Sequence, residues 1–254
     1  MTYLDSPTPL AFAHRGGALL EANDGIENTL AAFRNAVEMG YRYLETDVHT
    51  SLDDVVYAFH DVELTRMTGT VSAFRDLDSA DIDSILVGGR EPIPRLTDLL
   101  EAFPEARFNI DVKADDAVEP TLAVLRDAEA LDRVCLSSFS ADRLHRLRAD
   151  APKAASCFSF GEVVLLRFAP FRWLQAYGKR HGGSCVQVSF RHRRLTVVTP
   201  GFVRRAHRVG VPVHVWTIDD PSEMRYLLDI GVDGLMSDRV DVLQDVLRDR
   251  GEWR

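Results

Sequence analysis

Cysteine is scarce in this 254-residue chain: Cys135, Cys157 and Cys185 are odd in number and set far apart. That excludes a disulfide framework, and their places in or beside apolar runs predict plain core thiols. Long apolar runs are also lacking, and nothing approaches the ~18–20 residues of a transmembrane helix. The first residues, MTYLDSPTPLAFAHRGG, show neither the basic region nor the apolar stretch of a signal peptide, so a cytoplasmic location is expected. Positive charge is short as well: 30 Lys and Arg against 39 Asp and Glu leave a formal charge of −9. Such a balance argues against a protein that coats nucleic acid, whose footprint would be a basic face. An anionic substrate would have to be held by local cations or a metal. Internal repeats, low-complexity tracts and long charge runs are missing.

What is present is enough apolar content, 46%, for one large core, and a length that suits an α/β barrel, so one domain spanning 1–254 is expected. Short β-rich segments alternate with helical patterns. Candidate parallel strands are 10–13, 42–48, 107–113, 133–138, 154–160, 184–189, 211–217 and 232–237. Helical spacing of apolar residues follows at 28–39, 118–131, 141–149, 202–209, 223–228 and 240–247. Eight strands with helices between them predict a TIM (β/α)8 barrel. The apolar string VVYAFHD (55–61) comes only about seven residues after the second strand, whereas a parallel crossover needs about a dozen. It is therefore read as part of an insertion at about 49–95, with Gly88-Gly89 and the EPIP turn as loop signals.

Active sites of such barrels gather at the carboxyl ends of the strands. Those ends are polar in this chain, although the residues before them are apolar. His14 and Arg15 close the first strand, offering an acid/base and a bidentate phosphate clamp. The glycines after them would let the backbone approach a substrate. Glu45 and Asp47 share one face of the second strand and would repel unless a cation sits there. Asp111 adds a third carboxylate from another strand, and Lys113 faces the same way. Oxygen donors without nearby Cys favour Mg²⁺ or Ca²⁺. His60 supplies a second imidazole, with Asp61 beside it. Trp216 can wall a substrate or simply pack. His49, His145, His181, His192, His207 and His214 read as surface or packing residues. The amphipathic, aromatic stretch 161–181 is broken by Pro170; it reads mainly as an outer helix, with peripheral lipid contact as the lesser reading.

These residues and their neighbours resemble the glycerophosphodiester phosphodiesterase family from end to end. The resemblance runs through HRGG (14–17), IENTLAAF (26–33), LETDVHTSLDDVVYAFHDVELTRMTG (44–69), IPRLTDLLE (93–101), NIDVK (109–113), SSFS (137–140), VHVWTID (213–219) and GVDGLMSD (231–238). It implies a TIM barrel with a small insertion after the second strand. It also implies divalent-cation-dependent hydrolysis of glycerophosphodiesters to glycerol 3-phosphate and an alcohol. By resemblance His14 and His60 are the general acid and base, Arg15 and Lys113 contact the phosphate, and Glu45, Asp47 and Asp111 take the metal. Three positions depart from the family. Asp111 stands where a Glu is usual, Ile26 where a Pro is usual, and Met67 where a Thr is usual. Two competing readings are lysophospholipase D or phospholipase C-like action on lipid phosphodiesters, and a non-catalytic barrel that binds phosphodiesters. A serine hydrolase is disfavoured, because Ser137 and Ser138 have no His–acid pairing in sequence.

Overall fold

A computed structural model describes residues 2–193 and 195–253. Strands buried on both faces need near-continuous apolar runs, and the eight segments of that kind form the staves of a parallel barrel. We label them β1 (Leu10–His14), β2 (Tyr43–Thr50), β3 (Arg107–Val112) and β4 (Val134–Ser137), followed by β5 (Ala155–Ser156), β6 (Val186–Ser189), β7 (Val213–Trp216) and β8 (Gly234–Ser237). The spatial order β5-β4-β3-β2-β1-β8-β7-β6 is an unbroken ring. It closes between β5 and β6, where Cys157 bridges Cys185 in parallel. All other pairings around the ring are parallel too, the longest being the six-residue register of β2 on β3.

Each stave is followed by a helix, and the helix starts are written in the sequence. The side chains of Thr29, Ser140, Ser159, Thr199 and Asp220 each accept a backbone N–H of the first helical turn. Pro200 and Pro221 occupy first-turn positions, where a missing N–H costs nothing. Ser159 and Glu162 form a reciprocal capping box. This box ends β5 early: the strand expected over 154–160 is confined to Ala155–Ser156, and a helix runs from Phe160 to Phe168. The helix Leu96–Ala102, which follows the insertion, completes the ring of eight although its spacing was not singled out.

The insertion is built as a hairpin on the second stave. The end of β2 turns back into the strand Val56–Ala58, with Val48 opposite Ala58 and Thr50 opposite Val56. Below it lies a separate small core of Tyr57, Phe59, Leu64, Phe74, Ile82 and Val87. The main core lies between the barrel and its helices. Inside the barrel Leu10, Phe12, Tyr43, Cys135, Cys185 and Met236 form the lower layers. All three cysteines are buried and free, as expected of core thiols. Tyr3 closes the lower end, its carbonyl accepting the Tyr43 hydroxyl at 2.7 Å. No helix of the described residues is long and apolar enough to cross a membrane.

Candidate active site

The upper end of the barrel opens into a cavity of about 380 Å³. His14, Arg15, Glu45, Asp47, His60, Asp111, Lys113 and Trp216, all singled out from sequence, line it together. The alternation of a strand explains the gathering. Glu45 and Asp47 point inward while Thr46 between them points out and donates to Asn28 Oδ1 at 2.9 Å. The register then sets Asp47 beside Asp111 on the neighbouring stave and His14 beside Glu45. His60 arrives from the hairpin, just past the strand that pairs with β2.

Both imidazoles are oriented by a carboxylate. His14 Nδ1 donates to Asp238 Oδ1 at 2.7 Å, and His60 Nδ1 donates to Asp61 Oδ1 at 2.6 Å. A carboxylate acceptor fixes the proton on Nδ1 and leaves Nε2 for chemistry. His14 Nε2 lies 3.6 Å from Glu45 Oε2. Burial opposes charge on His14, but Glu45 and Asp238 outweigh it and lift the imidazolium to about 9. Asp61 is pinned from its far side by Arg66 Nε, whose guanidinium also reaches Glu27 Oε1 at 2.7 Å. Although burial works against its charge, Arg66 and His60 hold the Asp61 carboxyl down at about 2. Glu27 also accepts from Arg15 Nη1 at 3.1 Å, so one chain of ion pairs links Arg15 to the segment carrying His60.

Three buried carboxylates face two cations at the cavity floor. Lys113 Nζ lies 2.6 Å from Asp47 Oδ1 and 2.6 Å from Asp111 Oδ2. Arg15 Nε lies 3.4 Å from Asp47 Oδ2. Burial raises Glu45 to about 7, with the charge of Asp47 adding to the rise. Asp47 stays low despite burial because Lys113 and Arg15 flank it. Burial raises Asp111 from its ordinary value, partly offset by Lys113. Among the described residues no three acidic, His or Cys side chains converge as a ready-made metal cage; the Lys113 ammonium stands between Asp47 and Asp111 instead. The donor set still suits a hard cation. It is all oxygen, and Asp111 Oδ1 is buried with no hydrogen-bond partner.

Several contributors were not visible in sequence. Asp238, which orients His14, stands in sequence only as the last residue of GVDGLMSD. Its backbone is fixed because Asp219 Oδ1 accepts the N–H groups of Asp238 and Arg239 at 2.8 and 3.2 Å. Asn109 and Gln187 meet across the floor, Gln187 Nε2 donating to Asn109 Oδ1 at 2.7 Å. Their inward strand positions were the only signal. His192 is exposed, as expected, and sits at the edge of the cavity. His49 is buried, stacks on Phe74 and contacts the His60 carbonyl through Nε2 at 3.1 Å, which braces the His60 loop. Gly16 and Gly17 have a packing role that the sequence did not show. Both have positive φ, and an added Cβ would press on Ala32 at 3.0 Å and on Val240 at 2.7 Å. Their freedom serves helix packing.

The wall of the cavity over β4 to β7 is apolar. Phe139, Phe158, Phe160, Val163, Val188 and Trp216 form most of it. Trp216 meets Phe139 edge-on with centroids 5.9 Å apart, and Lys113 Nζ lies 5.7 Å from the Phe139 ring centre. Such a site offers two oriented imidazoles, two cations and a carboxylate cluster to one end of a ligand, and an apolar face to the other.

Comparison with known proteins agrees with this geometry. The profile of the glycerophosphoryl diester phosphodiesterase family matches residues 14–242. A probable glycerophosphodiester phosphodiesterase 2 of Mycobacterium tuberculosis is 40% identical over 98% of this chain and 97% of its own length. The lysophospholipase D GDPD1 of Mus musculus is 25% identical over 92% of this chain and 85% of its own. A phosphodiesterase structure from Oleispira antarctica, in complex with the product sn-glycerol 3-phosphate, has the same fold, with a TM-score of 0.80 at 23% identity over 95% of this chain and 97% of that one. The chain belongs to the glycerophosphoryl diester phosphodiesterase family.

Proposed function

We propose that this protein hydrolyses glycerophosphodiesters to sn-glycerol 3-phosphate and an alcohol, with His14 and His60 as the general acid and base. The observation that carries the reading is the pair of imidazoles, each oriented by a carboxylate on Nδ1, beside one cluster of carboxylates and cations. A diester phosphate has two bridging oxygens, so its hydrolysis calls for one group to take a proton from the attacker and another to give one to the departing alcohol. Arg15 and Lys113 bind the non-bridging oxygens, which requires Lys113 to exchange part of its contact with Asp47 and Asp111 for the phosphate. Glu45, Asp47 and Asp111 would hold one divalent cation, Mg²⁺ or Ca²⁺, which supplies Lewis-acid neutralisation of the phosphate charge when bound. Asp238 and Asp61 keep the two rings in their working tautomers. Trp216 and Phe139 cover the organic part of the substrate and keep water from it. Either water or the glycerol 2-hydroxyl fits as attacker, since both present an O–H to an imidazole.

The test is turnover of the purified chain on a panel of glycerophosphodiesters, with glycerol 3-phosphate as the measured product. Activity that chelator removes and added Mg²⁺ or Ca²⁺ restores is the expected result. No release of glycerol 3-phosphate from any diester, with metal present, overturns it.

A second reading, lysophospholipase D action, is favoured by one observation: Phe158, Phe160 and Val163, from the apolar stretch after β5, line the cavity instead of packing wholly outside the barrel. An acyl chain would lie along them. Val163→Ser should lower kcat/KM for a lysophospholipid more than for a headgroup diester. Equal losses on both would remove the acyl chain from that wall.

A further inference from the structure

The acidity of this protein is unevenly spread. Residues 160–210 hold ten of the chain's 30 Lys and Arg but only one, Glu162, of its 39 Asp and Glu. That stretch is therefore +9 and the remainder −18. The single acid is buried and paired with Arg148 at 2.8 Å, so it presents no charge to solvent.

The same stretch exposes large apolar side chains in a row. On the helix Phe160–Phe168, residues Phe160, Val164 and Phe168 recur at every fourth position and so share one face. Phe160 is 76% and Phe168 57% exposed. Past the helix, Phe171 and Trp173 are 59% and 60% exposed. The opposite face, with Leu166, is fully buried, so the packing of the barrel is complete without the exposed row. The Arg167 guanidinium lies 5.0 Å from the Phe168 ring centre. Arg172 is tied to the neighbouring helix Pro200–Arg208 by a 2.7 Å hydrogen bond to the Arg208 carbonyl, and Arg205 bonds the carbonyls of Arg167 and Ala169. The two helices thus pack side by side, and Arg204 on the second, with Lys179 and Arg180 on the short helix between them in sequence, is exposed.

We propose that this face docks on an anionic lipid surface, with the Phe160–Trp173 row entering the headgroup region and the surrounding Lys and Arg paired with lipid phosphates. Aromatic and aliphatic residues on one face, framed by cations, are what a protein needs to lie on a membrane without spanning it. Charge selects lipid over a second copy of this chain: a twofold interface would set these cations against their own copies, whereas an anionic bilayer offers the complement. Phe160 belongs both to the exposed row and to the cavity wall, so docking brings the cavity mouth beside the bilayer. The inference does not depend on which diester is hydrolysed.

Co-sedimentation of the full chain with phosphatidylcholine vesicles, with and without phosphatidylglycerol, tests it. Binding should require the anionic lipid and weaken as salt is raised. The double variant Phe168→Glu, Trp173→Glu should bind at least about tenfold more weakly. It should keep the wild-type melting temperature and its turnover of a water-soluble diester, because neither residue lines the cavity. Phe168→Ser, Trp173→Ser serves if the charged pair does not fold. Arg180→Glu with Arg204→Glu should abolish the preference for anionic vesicles. No binding to anionic vesicles at low salt, or equal binding by the Phe168/Trp173 variants, overturns the proposal. So does a dimer in solution that those variants dissociate, since it assigns the face to a second copy.

Discussion

A histidine that passes a proton needs one ring nitrogen committed and the other free. Asp238 commits the first imidazole of this site, and Asp61 the second. His14→Ala and His60→Ala should each lower kcat by about 10²–10⁴-fold while the melting temperature stays near wild type; near-normal turnover in either variant removes that residue from the chemistry. Asp238→Ala leaves His14 in place but free to rotate, so kcat should fall about 10–100-fold with KM little changed. A steady-state comparison of the two parameters decides it. Asp111 tests the metal reading. Its Oδ1 has no partner, and its backbone is fixed in β3, so Asp111→Glu should change cation affinity or preference and Asp111→Ala should weaken affinity markedly. Identical binding isotherms for all three proteins would leave it a partner of Lys113 only. Sequence revealed these residues because strand alternation and polar strand ends are local signals. It did not single out Asp238, whose importance arises from a contact 224 positions away with His14.

At the scale of elements, the insertion is a separately cored unit that carries His60. It has its own apolar core around Phe74, it is hinged on β2 by three paired residues, and it is tied to the first βα loop through Arg66 and Glu27. Phe74→Ala should cost about 3–5 kcal/mol locally. The loss should appear as faster amide exchange within 55–93 before the barrel strands respond. An even loss of protection across the barrel would show that the insertion and the staves unfold together. The insertion's existence was legible from chain arithmetic, because seven residues cannot make a parallel crossover. The early end of β5 was less legible: an apolar run at 154–160 reads as a strand until the Ser159–Glu162 box is weighed as a helix start. The outward row of Phe160, Val164 and Phe168 was seen as amphipathic, but its exposure depends on which helix face the barrel buries.

Across the whole molecule, Arg148 holds together three parts of the chain. It donates to the Ser156 hydroxyl, the Cys157 carbonyl and both oxygens of Glu162. Burial opposes the Glu162 charge, yet Arg148 and the Ser159 N–H hold its carboxyl below the ordinary value of 4.5. A carboxyl depressed in the folded state contributes stability above its unfolded pKa and loses it as pH falls through the folded one. Acid melting curves should therefore steepen below about pH 4.5, and Glu162→Gln should flatten that limb relative to wild type. Superimposable acid limbs would mean the pair contributes no proton-linked stability.

The ring is not equally strong all the way round. Between β2 and β3 six residues are in register, but between β5 and β6 closure rests on one bridge, with Phe158 N–H donating to the Cys185 carbonyl at 2.9 Å and Ser184 N–H to the Ser156 carbonyl at 2.7 Å. Mechanically this is a split hoop fastened by a narrow clasp. A hoop under thermal strain opens at its clasp first, so the amides of Phe158 and Ser184 should exchange faster than any in β2 or β3. The clasp stands beneath the apolar wall of the cavity and behind the cationic, aromatic face. Widening there would enlarge the apolar end of the pocket while the charged end, anchored on β1 to β3, keeps its dimensions. One barrel would then combine a stiff half that fixes the reacting group with a compliant half that accepts alcohols of different size.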